Sequence, residues 1–144
     1  MLIGEYTHSI DEKNRLSLPS KFRKEMGKNS VLTPGLDGCL FVFTAKQWKD
    51  ISEKLSHGNF LHSDSRSFNR FMFGGAVEAE VDAIGRILVP DFLKERAELK
   101  EKVVIIGVQD RIEIWNEDSW IAYKKEVEKR ADSLAEKLGG IGAI

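Results

Sequence analysis

A chain of 144 residues, 42% of them hydrophobic, can bury a real core as one compact domain. Its charged fraction of 31%, without low-complexity runs, argues against a disordered chain, and its single cysteine, Cys39, excludes an internal disulfide and fits a reducing compartment. The net charge of -1 counts against nucleic-acid binding on the sum alone, so such a reading must rest on how the charges are distributed.

From the N-terminus, Met1-Leu2-Ile3-Gly4 meets Glu5 at once, so no targeting segment is expected. Asp11-Glu12-Lys13-Asn14-Arg15 then reads as a turn between extended segments. Asn14 tolerates a positive φ and the Asp11 carboxylate can accept hydrogen bonds from turn amides. Leu16-Ser17-Leu18 is a short predicted strand ended by Pro19, which cannot continue a central ladder. A helical turn over Ser20 to Lys24 follows, with Ser20 as its candidate cap. Val31-Leu32 and Leu40-Phe41-Val42-Phe43 are predicted strands, and Cys39, entering the second, reads as a small buried hydrophobe.

Between Trp48 and Gly75 the pattern changes. Ala45, Trp48, Ile51 and Leu55 share one side of a helix, and a second helix is predicted over about Ser63 to Phe73. Four phenylalanines between Phe60 and Phe73 need burial, and some are expected at a subunit interface.

At Asp82 the opening motif returns. Asp82-Ala83-Ile84-Gly85-Arg86-Ile87-Leu88-Val89-Pro90 keeps the spacing of Asp to Arg and of Asp to Pro, with Gly85 at the place of Asn14. Asp91 to Glu95 repeats the helical turn, with Asp91 as its candidate cap. Val103 to Val108 is a buried strand, too short to span a membrane, and Ile112 to Trp115 closes the repeat. The offset is 71 residues at the start of the unit and 72 at its end, read from Asp11 to Asp82 and from Trp48 to Trp120. The unit is strand, turn, strand, short helix, strand, strand, and two copies suit a pair that fold together better than a solenoid. An amphipathic helix from Asn116 to Leu138 ends the chain, stopped by Gly139-Gly140; it either packs on its own barrel or binds a partner.

Asp-x-x-x-Arg occurring twice at this spacing, after an opening like Met1 to Arg23, resembles the MraZ family of bacterial transcriptional regulators, whose chains carry two SpoVT-AbrB-like units. The resemblance covers nearly the whole chain; Asn14 departs from the Gly of the family pattern. It implies an α+β, mainly β fold: a duplicated swapped-hairpin, AbrB-like (double-psi-like) small β-barrel with peripheral helices. The corresponding division is 5–48 for the first repeat, 49–75 for a helical connector, 76–120 for the second repeat and 121–144 for the terminal helix and tail. It also implies a homo-oligomeric ring on double-stranded DNA, at repeated sites upstream of its own gene and the division and cell-wall gene cluster, in the cytoplasm at the nucleoid. Arg15 and Arg86 carry over as the motif arginines, and Asp11, Asn14, Asp82 and Gly85 as the residues shaping their turns.

The charges favour the first copy. Residues 13 to 28 hold Lys13, Arg15, Lys21, Arg23, Lys24 and Lys28 against Glu25, net +5, whereas 84 to 99 hold Arg86, Lys94 and Arg96 against Asp91, Glu95 and Glu98, net zero. On this reading Arg15 reads a base edge while Lys13, Lys21, Arg23 and Lys24 hold phosphates. The run is otherwise a solvated face, and Arg86 either joins the contact or braces its turn against Asp82. No catalytic constellation emerges. His8, His57 and His62 lack metal-ligand spacing, no serine has an activating partner and no glycine-rich loop cradles phosphate. No enzyme activity, cofactor, metal, membrane or small-molecule substrate is expected; an oligomeric protein-interaction scaffold is the alternative function.

Overall fold

A computed structural model describes residues 1–144. The first copy supplies β1 (Leu2–Ser9), β2 (Arg15–Ser17), α1 (Ser20–Met26), β3 (Asn29–Pro34) and β4 (Leu40–Thr44). Two helices follow, α2 (Ala45–Ser56) and α3 (Ser63–Gly74). The second copy supplies β5 (Val77–Glu80), β6 (Arg86–Leu88), α4 (Asp91–Arg96), β7 (Lys102–Gln109) and β8 (Ile112–Asn116), and α5 (Glu117–Gly140) ends the chain.

The strands of the two copies interleave. One antiparallel sheet runs β1-β7-β8-β4-β3-β5 and a two-stranded ribbon pairs β2 with β6. Exchanging each strand for its counterpart returns the same order read backwards, so the chain has an internal pseudo-twofold axis. It passes between Phe41 and Glu113 in the sheet and between Leu16 and Ile87 in the ribbon, each pair being both register partners and sequence counterparts. Because β1 pairs with β7 and β5 with β3, each copy completes the other's sheet.

The fold is mixed α and β with a mainly antiparallel sheet, but the expected closed barrel is not formed. The ladder breaks where the chain passes through the Asp turns, leaving one isolated bridge from Ile10 to Leu16. Pro19 and Pro90 then end the ribbon strands, since proline has no N–H to extend a ladder.

The central strands β3, β4, β7 and β8 are buried on both faces, and their alternation divides the side chains between two cores. The main core joins Leu16, Leu18, Phe22, Leu32, Leu40, Ile87, Val89, Leu93 and Ile105 beneath the ribbon. A second cluster of Phe41, Phe43, Met72, Val104, Ile106 and Trp115 lies under α2 and α3, with Trp48, Ile51, Leu55 and Phe71 against it. Phe60 and Leu61, between α2 and α3, stay exposed, so only part of the aromatic segment finds cover within the chain. In α5 the first turns dock, Trp120 and Tyr123 stacking on Trp115 at 5.2 and 4.9 Å, while no residue of the helix is fully buried. The helix is capped by Asn116, whose side chain accepts from the Ser119 amide at 2.9 Å. It runs through Gly139-Gly140; the left-handed residue beyond it is Gly142.

Candidate nucleic-acid interface

The twin turns share a local design. In the first, the Asn14 amide donates to the Asp11 carbonyl at 3.0 Å and the Asp11 amide donates to the Arg15 carbonyl at 3.0 Å. Closing so tightly requires a left-handed residue, met by Asn14 at φ 60° and by Gly85 at φ 82° in the second turn. One oxygen of Asp11 accepts from the amides of Lys13 and Arg15, both at 2.9 Å, and the other accepts from Arg15 Nε at 2.7 Å. Asp82 repeats this with the amides of Ile84 and Arg86 at 3.1 and 2.8 Å and with Arg86 Nε at 2.8 Å. The amide hydrogen bond from Arg15 is the largest influence holding the Asp11 carboxyl below its usual range, and that from Arg86 does the same for Asp82.

Bracing therefore does not separate the two arginines. Each guanidinium is anchored through Nε alone, and neither uses its Nη groups within the chain. A fork held at its base and open at its tip suits bidentate recognition, because little side-chain freedom remains to be lost.

The ribbon sets both forks on one face. Register pairs Arg15 with Leu88, Leu16 with Ile87 and Ser17 with Arg86. Leu16 and Ile87 point into the core at 0% and 1% exposure, so the alternation sends Arg15, Ser17, Arg86 and Leu88 outward.

Across the pseudo-axis each short helix clamps the other copy's turn. Lys94 Nζ of α4 donates to Asn14 Oδ1 at 3.2 Å and Asn14 Nδ2 donates to Asp91 at 2.6 Å. Arg23, the counterpart of Lys94, donates from Nε to the Leu18 carbonyl at 3.0 Å, and its guanidinium covers Gly85 so closely that a Cβ there would collide with it. Asn14 is thus the form of the turn that bonds its clamp through a side chain, and Gly85 the form that makes room for one. Asp91 and Ser20 give no side-chain cap to their helices, since Pro19 and Pro90 occupy the cap positions.

The expected phosphate ligands therefore separate. Lys13 lies exposed in its turn, and Lys21 and Lys24 lie on the outer side of α1, whose Phe22 and Met26 are buried. Arg23 spends Nε on the Leu18 carbonyl, and its charge, after burial, helps lower the pKa of His8. Sequence reasoning missed the clamp made by Lys94 and Asp91, although the offset of 71 already equates Lys94 with Arg23. It also missed Leu88, 57% exposed on the ribbon face.

Other chemical groups are occupied locally. His62 Nδ1 caps α3 by accepting from the Asp64 amide at 3.3 Å, and His57 Nδ1 lies 2.6 Å from the Glu53 carbonyl at the end of α2. Cys39 is buried, its thiol pushed up to about 12 mainly by desolvation. Glu113, also buried, accepts from Nε and Nη2 of Arg111 at 3.1 and 2.8 Å and from the Trp115 indole at 3.0 Å. No helix is long and apolar enough to cross a membrane.

Comparison with known proteins agrees with the internal repeat. The family model described as "MraZ protein, putative antitoxin-like" matches twice, over residues 1–71 and 72–138. A protein of Caldanaerobacter subterraneus subsp. tengcongensis is 47% identical over 138 residues, 96% of each chain. One from Caldicellulosiruptor saccharolyticus is 47% identical over 142 residues, 99% of each, and one from Heliobacterium modesticaldum 48% over 138 residues, 96% of each. All three relatives bear the name Transcriptional regulator MraZ, which denotes no enzyme.

Proposed function

Because the chain belongs to the MraZ family, we propose that it is a sequence-specific transcriptional regulator that binds double-stranded DNA through the β2–β6 ribbon. The observation carrying this reading is the pair of guanidinium groups on one ribbon face, each braced at Nε and free at Nη. A two-stranded ribbon fits the major groove, where guanine offers O6 and N7 to such a fork at about 1–3 kcal/mol of discrimination. Arg15 and Arg86 each read a base edge in this account. Lys13, Lys21 and Lys24 contact phosphates, which position the protein without specifying sequence. Arg23 reaches phosphate only with the Nη groups its clamp leaves over.

A chain of net charge -1 with few basic groups at its interface binds weakly alone. Assembly into a ring that offers several ribbons to repeated sites supplies affinity through effective concentration. The targets in this proposal lie upstream of its own gene and the division and cell-wall cluster, which places the protein in the cytoplasm at the nucleoid, without cofactor or small-molecule substrate. The scaffold alternative draws on exposed Phe60 and Leu61 and on the outer length of α5.

Fluorescence anisotropy against the upstream duplex of its own gene and a scrambled duplex, over a salt series, separates the two. Regulation of this kind requires the upstream duplex to win at every salt and log affinity to fall linearly with log salt. Equal, salt-insensitive signals for both duplexes would leave the scaffold reading.

A further inference from the structure

The two outward corners of the ribbon are chemically unlike. Arg86 has Ser17 as its register partner, whereas Arg15 has Leu88. Ser17 and Leu88 are counterparts across the pseudo-axis, so the same place in the fold is polar in one copy and apolar in the other. Leu88 belongs to neither buried cluster and is 57% exposed, while its neighbours Ile87 and Val89 fill the core at 1% and 0%. Packing within the chain therefore does not explain a leucine there.

Resting on the DNA-binding reading above, we infer that Leu88 is a specificity-determining residue that packs on the C5-methyl group of a thymine next to the base read by Arg15. Thymine's methyl is the apolar group that unmodified base edges present in the major groove, and leucine has no polar atom with which to use the others. Register partners on antiparallel strands stand roughly 5 Å apart at Cβ, and successive bases roughly 3.4 Å, so Arg15 and Leu88 cover neighbouring base pairs. The flanking guanidinium groups select DNA over an apolar protein surface as the occupant, since docking another apolar face there would strip both cations of water. A consequence follows for the site. The Arg15–Leu88 corner selects a thymine beside its base and the Arg86–Ser17 corner does not, so one chain reads a non-palindromic element despite its twofold backbone.

The test uses the full chain and the tightest duplex it selects from a random-sequence pool. That duplex is resynthesised with each thymine in turn replaced by deoxyuridine, which removes the methyl and keeps every hydrogen-bonding group. Burying one methyl corresponds to roughly fourfold in affinity. The wild-type chain should lose about that factor at one thymine of each repeated element. Leu88→Ser, which installs the first copy's residue, should bind the unmodified duplex more weakly by a similar factor and show no further loss on deoxyuridine, with an unchanged salt slope and unfolding midpoint. Indifference of the wild type to every replacement, or the same penalty in Leu88→Ser, would overturn the inference while leaving DNA binding intact. A change of oligomer size in Leu88→Ser with the deoxyuridine penalty retained would place the leucine against another copy and equally overturn it. Failure to enrich any duplex would instead remove the DNA-binding reading itself.

Discussion

The first and second copies share an element order and a turn design but present different surfaces. Lys13, Ser17 and Lys21 of the first become Ile84, Leu88 and Phe92 of the second, exposed by 60%, 57% and 50%. Beneath them the Asp–Arg brackets agree to within 0.2 Å in each hydrogen bond, from 2.9 against 3.1 Å at the second turn amide to 2.7 against 2.8 Å at Nε. Only a few residue types can make such a turn, namely an acceptor, a left-handed residue and an arginine, so these stay fixed. The outward positions do no structural work and have diverged. Charge along the sequence suggests that the second copy serves as structure or as a subunit contact, yet Arg86 is held as Arg15 is, which gives the ribbon two equally braced guanidinium groups with unlike neighbours.

Replacing the arginines one at a time tests that equivalence and should give the largest effects. Arg15→Ala and Arg86→Ala should each cost about 1–3 kcal/mol of specific binding, whereas Lys24→Ala should weaken cognate and scrambled DNA alike. Anisotropy titration on both duplexes separates the three. Retention of full specificity by Arg86→Ala would return the second copy to a structural role.

The turns should break unequally. Gly85→Ala places a Cβ at φ 82° and against the Arg23 guanidinium. It should lose about 1–2 kcal/mol for the left-handed backbone, plus the cost of displacing the clamp. Asn14→Gly keeps the turn and forfeits two side-chain bonds, one exposed and one half-buried, a loss of about 1 kcal/mol. Urea unfolding would measure both. A larger loss in Asn14→Gly would reverse our assignment of which clamp matters more.

The smallest expected effect is that of pH. The carboxyls of Asp11 and Asp82 have folded pKa values lowered chiefly by amide hydrogen bonds. The stability they contribute is complete above the ordinary aspartate value of about 4 and is lost as pH falls through the lowered one. His8, lowered by burial and then by Arg23, favours its neutral form. Specific affinity at fixed ionic strength should therefore stay flat as pH falls from about 8 to the ordinary imidazole value of about 6.5. A titration midpoint near neutrality would show that another group controls the ribbon.

What was legible in the sequence is what local chemistry decides. Asn14 and Gly85 announce positive φ, Pro19 and Pro90 mark the ends of the ribbon strands, and the apolar spacing of Ala45 to Leu55 and of Phe68 to Met72 gives α2 and α3 nearly to the residue. What was hidden depends on contacts between segments more than sixty positions apart. The bonds joining Asn14 to Asp91 and Lys94, the seat of Arg23 on Gly85 and the exposure of Leu88 all arise from cross-copy pairing. Asp91 has the right chemistry for a helix cap, but the neighbouring turn takes its carboxylate. The closed barrel, expected from the resemblance, depends on ladders across the Asp turns that two prolines and one isolated bridge do not sustain.

The central claim is that the face carrying Arg15 and Arg86 meets the duplex, and site-directed photo-crosslinking tests it most directly. The buried Cys39 thiol, with its pKa near 12, stays unreactive, so Ser17→Cys or Ser133→Cys can carry the crosslinker without altering the native cysteine. Label at position 17, between the arginines, should crosslink selected DNA efficiently, and label at 133, on the exposed part of α5, should not. Crosslinking from 133 with none from 17 would contradict the account.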